Sequence, residues 1–293
     1  MHGELVRIEA EDGLELVGFY ATPAGRPARR AVLHVHGMSG NFYENLFVST
    51  VGEAVVAKGL AFLTVNNRGH EYASDNVRRT PDGGVFSKGG ATWETFDECL
   101  FDVGGGARYL TSRGHEGIYF EGHSLGCLKV VHYLAERRDP RAVGAVLLSP
   151  ADMFGVRAQN ATRPLEDLVR DARALTAVGK GDTLMPDAGY EVPLSAAMVA
   201  SVYGDPRKTD IFPFRLGDRG DYRVLASLAV PLLVVYGTVF EAVTVPVADA
   251  LALARAHATS SPGVTTVAVE GGDHIYLGHE DELAQVVASF VEA

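Results

Sequence analysis

Cysteine is scarce: the chain has two in 293 residues, Cys99 and Cys127. That is too few for a disulfide framework, and no Cys/His spacing suggests a zinc site. Basic runs are also missing. "RRTP" and "ERRDPR" are short and locally neutralised. With a net charge of −11, the bulk field repels nucleic acid and anionic lipid, so neither is expected as a partner. No apolar stretch approaches the ~18 residues a membrane span needs. The opening "MHGELVRIEAEDG" is charged and alternating, unlike a signal peptide. These absences make a soluble cytoplasmic protein the default expectation. They leave the oligomeric state open.

What is present suits a sizeable buried core: 47% of residues are hydrophobic and 22% charged. Residues 4–10 and 14–21 alternate apolar and polar around "EDG", as an antiparallel hairpin would. Nearly continuous apolar runs follow: "RAVLHVHG", "AFLTVNNRG", "GIYFEGHS", "AVGAVLLSP", "PLLVVYG" and "VTTVAVEGG". Runs of this kind fit parallel strands buried on both faces. Helical patterns lie between most of them, among them "ENLFVSTVGEAVVAKG", "LGCLKVVHYLAERR" and "VADALALARAHA". In the last segment Leu283, Val286, Val287, Phe290 and Val291 share one helical face. The alternation predicts an α/β protein with a doubly wound, mostly parallel sheet. Residues 151–222 break it with mixed charge, several prolines and short helical pieces. They read as a helical cap inserted into a core of 1–150 and 223–293. "GGG" at 104–106 sits inside a helical pattern and reads as close helix packing or a kink.

The segment "YFEGHSLGCL" carries the chemistry. "GHSLG" at 122–126 matches G-x-S-x-G, after an apolar strand and before an amphipathic helix. A sharp turn there lifts the Ser124 hydroxyl clear of the sheet, and the residues two away must be small. The helix N-terminus supplies free N–H groups for a developing oxyanion. A serine needs a base, and the base an orienting group. His274, in "GGDH" between the last strand and the last helix, can serve as base. His123 adjoins the serine but should point away from its side chain, and reads as packing.

With "HGMSG", "NNRGH", "GHSLG" and "GGDH" in that order, the chain resembles the α/β-hydrolase superfamily over nearly its whole length. Within it, "HGMSGNFYEN" and "NNRGHEYASD" look similar to small esterase-like hydrolases of natural-product and siderophore metabolism. The resemblance implies the α/β-hydrolase fold, a Ser–acid–His order and no cofactor. It implies oxyanion donors from the Leu125 and Met38 N–H groups, with Gly37 letting the backbone approach the substrate. His34 and His36 share a strand face, but no third metal ligand is evident.

The acid departs from the family pattern. The resemblance places an aspartate about three residues past the glycine closing "LLVVYG", where this chain has Phe240. Glu241 follows one residue later, and is the only carboxylate between 232 and 247. Asp152, in "LSPADM", is the competing acid, and a chain without a functional acid is the third possibility. Arg68 could pair a substrate carboxylate, or could tie its own loop to neighbouring segments. Phe240 is a candidate for substrate contact. The expected activity is hydrolysis of an ester, or related acyl bond, of a small-molecule organic substrate through an acyl-enzyme on Ser124. Acyl transfer on the same residues and a non-hydrolytic or ligand-binding role are the alternatives.

Overall fold

The computed structural model describes residues 2–25, 27–190 and 193–292. The chain opens with β1 (Glu4–Glu9) and β2 (Leu14–Ala21), then β3 (Arg30–Val35), α1 (Leu46–Ala57) and β4 (Ala61–Val65). A hairpin of β5 (Ser74–Thr80) and β6 (Gly83–Gly89) follows, then α2 (Cys99–Ser112), β7 (Gly117–His123), α3 (Leu125–Arg137) and β8 (Ala142–Leu148). Next come α4 (Met153–Asn160), α5 (Leu165–Ala177), the two-residue strands β9 (Leu184–Met185) and β10 (Leu194–Ser195), α6 (Ala196–Tyr203), α7 (Pro206–Thr209) and a 3-10 turn at Phe214–Arg219. The chain closes with α8 (Arg223–Ala226), β11 (Leu232–Gly237), α9 (Val247–His257), β12 (Val264–Val269) and α10 (Glu280–Glu292).

The main sheet runs β12-β11-β8-β7-β3-β4-β2-β5-β6, with β1 paired to β2. From β12 to β4 every pairing is parallel; the β1, β2, β5 and β6 pairings are antiparallel. The buried runs behave as both-face burial demands: β4, β7 and β11 are buried at every residue. One apolar layer joins α1 and α10 to the sheet through Phe47, Val51, Leu283 and Val287. The opposite layer holds α2, α3 and α9. The "GGG" of α2 lets that helix lie on the sheet. A Cβ on Gly105 would stand 2.7 Å from the Glu9 carbonyl oxygen, and one on Gly106 2.9 Å from Leu33.

The strand order reverses at β3 and β7. β4 extends the sheet to one side of β3, whereas β7, β8, β11 and β12 extend it to the other. Ligands of open α/β sheets bind at this switch, outside the strands' carboxyl ends. "HGMSG" leaves the end of β3, and Ser124 leaves the end of β7.

Between β8 and β11, Leu168, Met198, Val199, Phe212 and Phe214 are buried and continuous with the α2–α3 layer. The Ser195 N–H donates to the Thr92 carbonyl at 2.8 Å, and the Phe96 N–H to Ser201 Oγ at 2.5 Å. The β5–β6 hairpin does not follow from the sequence patterns. Its strands are mostly exposed, with only Ser74, Asn76 and Val77 of β5 half-buried, so "SDNVRRT" carries no apolar alternation. The local clue is "PDGG" at the turn. Among the described residues no helix is long and apolar enough to cross a membrane.

Candidate active site

Ser124 has φ 55° and ψ −123°, a strained conformation for a residue with a side chain. Its N–H donates to the Leu148 carbonyl at 2.9 Å. The flanking glycines are required by backbone contact: a Cβ on Gly122 would lie 2.4 Å from the Gly126 oxygen, and one on Gly126 2.1 Å from the Val35 oxygen. The turn is therefore wedged between β3 and the first turn of α3, with the serine at its tip. Gly37 abuts it from the β3 loop. A Cβ there would fall 2.8 Å from Ser124 Cβ. Among the described residues no protein acceptor takes the Met38 or Leu125 N–H. The Leu125 N–H is one of the first-turn donors that a helix leaves unpaired, and the Met38 N–H lies in the turn after β3.

Glu241 lies in the loop after β11, and its side chain is almost fully buried. Its Oε2 accepts from His274 Nδ1 at 2.8 Å. Its Oε1 accepts from the Gly237 N–H at 2.7 Å and from Ser149 Oγ at 2.8 Å. The extra residue is absorbed at Phe240, whose φ of 52° turns the chain so that Glu241 folds back on the strand end. An ionised carboxylate only accepts, so His274 holds its proton on Nδ1 and keeps a lone pair on Nε2. The acid and histidine loops are also tied directly. The Val239 N–H donates to the Gly272 carbonyl at 3.0 Å, and the Gly271 N–H to Thr238 Oγ1 at 2.9 Å. His123 does more than pack. Its Nε2–H donates to the His274 carbonyl at 2.7 Å, with the two rings 4.9 Å apart. This places His274 beside the turn. No hydrogen bond joins Ser124 Oγ to His274 among the described residues; such contacts commonly tighten only with substrate in place.

That arrangement brings Gly37, Met38, Ser124, Leu125, Glu241 and His274 to one end of the sheet. The Est1E esterase of Butyrivibrio proteoclasticus, solved with ferulic acid bound, superposes with a TM-score of 0.69 at 19% identity, covering 98% of each chain. The esterase Pf2001 of Pyrococcus furiosus gives 0.61 at 16% identity, over 99% of this chain and 90% of that one. An alpha-beta serine hydrolase homologue from Coxiella burnetii gives 0.58 at 16% identity, over 99% and 98%. The fold is that of the α/β hydrolases. No protein-family model matches the sequence, and the comparison with curated proteins finds no match.

For Asp152 and Arg68 the contacts bear on readings that the sequence left open. Asp152 makes no hydrogen bond to His274 among the described residues. Its Oδ1 accepts from the Gly155 N–H at 2.9 Å, capping α4, and from Arg215 Nη1 at 2.7 Å. Burial raises its pKa, an effect that Arg215 opposes. Arg68 is not free for substrate. Its buried guanidinium donates to Asp102 at 2.7 Å and to Asp12 at 3.1 Å, and an ion pair to Glu98 at 3.2 Å adds a third carboxylate, which leaves little of it for a ligand. Phe240 is 89% exposed, so it lines no enclosed pocket; its position matters through the backbone turn. His34 Nδ1 lies 2.6 Å from Glu121 Oε1, and His36 is engaged by its own loop.

Sequence reasoning missed Ser149. Ser149 follows β8 in "LLSP", at the strand end next to β11, which is the available clue.

Proposed function

We propose that the protein is a serine esterase acting through an acyl-enzyme on Ser124. The observation that carries the reading is the 2.8 Å contact between Glu241 and His274 Nδ1, beside a strained serine turn. With Nδ1–H held by the carboxylate, Nε2 can take the Ser124 proton as Oγ attacks an ester carbonyl. The developing oxyanion then accepts from the Met38 and Leu125 N–H groups. Collapse expels the alcohol, protonated by His274. Water, deprotonated by the same nitrogen, then releases the acid and restores Ser124. Glu241 stays ionised and steadies the imidazolium. The esterases among the structural neighbours support the class. The bound ferulic acid in one of them makes hydroxycinnamate esters a reasonable part of a substrate panel.

The test is labelling with a fluorophosphonate, together with turnover of p-nitrophenyl and hydroxycinnamate esters. Label is expected on Ser124, and Ser124→Ala should abolish both label and turnover. Turnover that survives in that variant would rule the reading out.

A further inference from the structure

The buried polar groups behind "HGMSG" belong to none of the roles above. His36 is buried, and its Nδ1 lies 2.8 Å from the Gly37 carbonyl oxygen. Its Nε2 accepts the Asn67 N–H at 3.0 Å. The ring is therefore neutral, with its proton on Nδ1, donating to Gly37. Burial lowers its pKa well below the usual histidine value, and the Lys129 charge adds to this. Asn67 is anchored in turn. Its Nδ2 donates to the His36 carbonyl at 3.3 Å, and its Oδ1 accepts from the Gly69 N–H at 3.1 Å and from Lys129 Nζ at 3.2 Å. Lys129 Nζ also meets Glu94 Oε2 at 2.6 Å, and both side chains are almost completely buried.

We infer that His36, locked by Asn67 and the Lys129–Glu94 pair, is a positioning residue that holds the Gly37–Met38 peptide with its N–H toward the reacting carbonyl oxygen. The inference rests on the esterase reading. A trans peptide is planar, and its C=O and N–H point in opposite directions. Pinning the Gly37 oxygen to the His36 ring therefore turns the Met38 N–H the other way. Gly37 lies against Ser124, so the peptide's orientation is felt at the reacting atoms. A glycine at this joint gives the close approach but leaves the peptide free to rotate. A rotated peptide would present a carbonyl oxygen to the oxyanion and repel it. The weak 3.4 Å contact from the Gly40 N–H to the Gly37 oxygen would not prevent that alone. A buried ion pair is a costly way to add stability. As the fixed base of this chain of contacts, Lys129 and Glu94 have a specific task.

The experiment compares His36→Leu with His36→Asn, whose amide can occupy the Nδ1 position and donate to Gly37. Losing one oxyanion donor lowers kcat by about 10²–10³-fold. His36→Leu should approach that loss with KM for a p-nitrophenyl ester little changed. It should weaken inhibition by a trifluoromethyl ketone, which forms a tetrahedral adduct, by a similar factor. His36→Asn should recover much of both. If kcat falls but ketone inhibition is unchanged, or the two variants lose equally, the inference fails. Should His36→Leu not fold, Asn67→Ala and the paired Lys129→Met/Glu94→Leu variant decide. Each should lower kcat and ketone affinity together, and unchanged values overturn the inference. Ser124→Ala measured alongside separates the two proposals. Ser124-dependent turnover indifferent to His36 sinks only this one, whereas turnover independent of Ser124 sinks the esterase reading and this inference with it.

Discussion

Glu241 has one more methylene than an aspartate and stands one residue later than the resemblance implies. The positive φ of Phe240 accommodates both differences. The carboxylate then receives three hydrogen bonds, from His274, Gly237 and Ser149. This leads to a sharp expectation for Glu241→Gln. Gly237 N–H and Ser149 Oγ both donate to Oε1, so they select the amide oxygen for that side. The NH2 group then faces His274 Nδ1 and forces the ring proton onto Nε2. A histidine in that tautomer cannot accept the serine proton. Turnover of an activated ester should fall by about 10⁴-fold at neutral pH, as when a triad carboxylate becomes an amide. Steady-state kinetics on the pure variant checks this, and a loss under tenfold would argue against Glu241 as the orienting group.

At the scale of elements, four strand ends supply the site: the loops after β3 and β7 meet at the sheet's reversal, and the loop after β11 reaches across to the one after β12. The loop after β4 contributes by bracing. Arg68 ties it to α2 through Asp102, whose Oδ2 also accepts the Arg68 N–H at 2.9 Å, and to the β1–β2 turn through Asp12. Arg68→Leu leaves Asp102 buried without its counter-charge. Removing one partner of a buried pair costs about 3–5 kcal/mol. Urea unfolding should show a loss of that order, while KM for neutral and acidic esters changes in parallel. A selective rise in KM for acidic esters, without loss of stability, would instead restore Arg68 to the substrate. The sequence left both options open because an arginine at a strand end looks the same in either role. Only the approach of α2 and the first hairpin brings the three carboxylates to it.

At the scale of the molecule, four histidines among the described residues are held below their ordinary pKa, chiefly by burial: His36, His115, His123 and His132. Unfolding returns each to about 6.5. For a group with a depressed folded pKa that is charged in its protonated form, stability is complete above the unfolded value. It is lost as pH falls, because the unfolded chain takes up protons that the folded one refuses. Each such proton contributes a slope of up to about 1.4 kcal/mol per pH unit. Urea midpoints should therefore decline from pH 7 to pH 5, above the range where most carboxylates titrate. A flat profile over that window would show that these rings are accessible to protons in the folded protein.

The order of strands and helices, the serine turn and its histidine were legible in the sequence, because they rest on short-range rules. Burial on both faces produces a continuous apolar run, and a strained turn against a helix start demands small neighbours. The β5–β6 hairpin escaped because its mostly exposed strands bury too little to leave a pattern. The sequence favoured Glu241 as the acid but left Asp152 open. The left-handed Phe240 turns one toward His274, while Arg215 holds the other at the start of α4. Likewise, a histidine, an asparagine, a lysine and a glutamate spread over residues 36–129 became one chain of hydrogen bonds only through folding. Tertiary structure decided these points because hydrogen-bond partners are set by which loops meet in space, and separation along the chain carries no record of that.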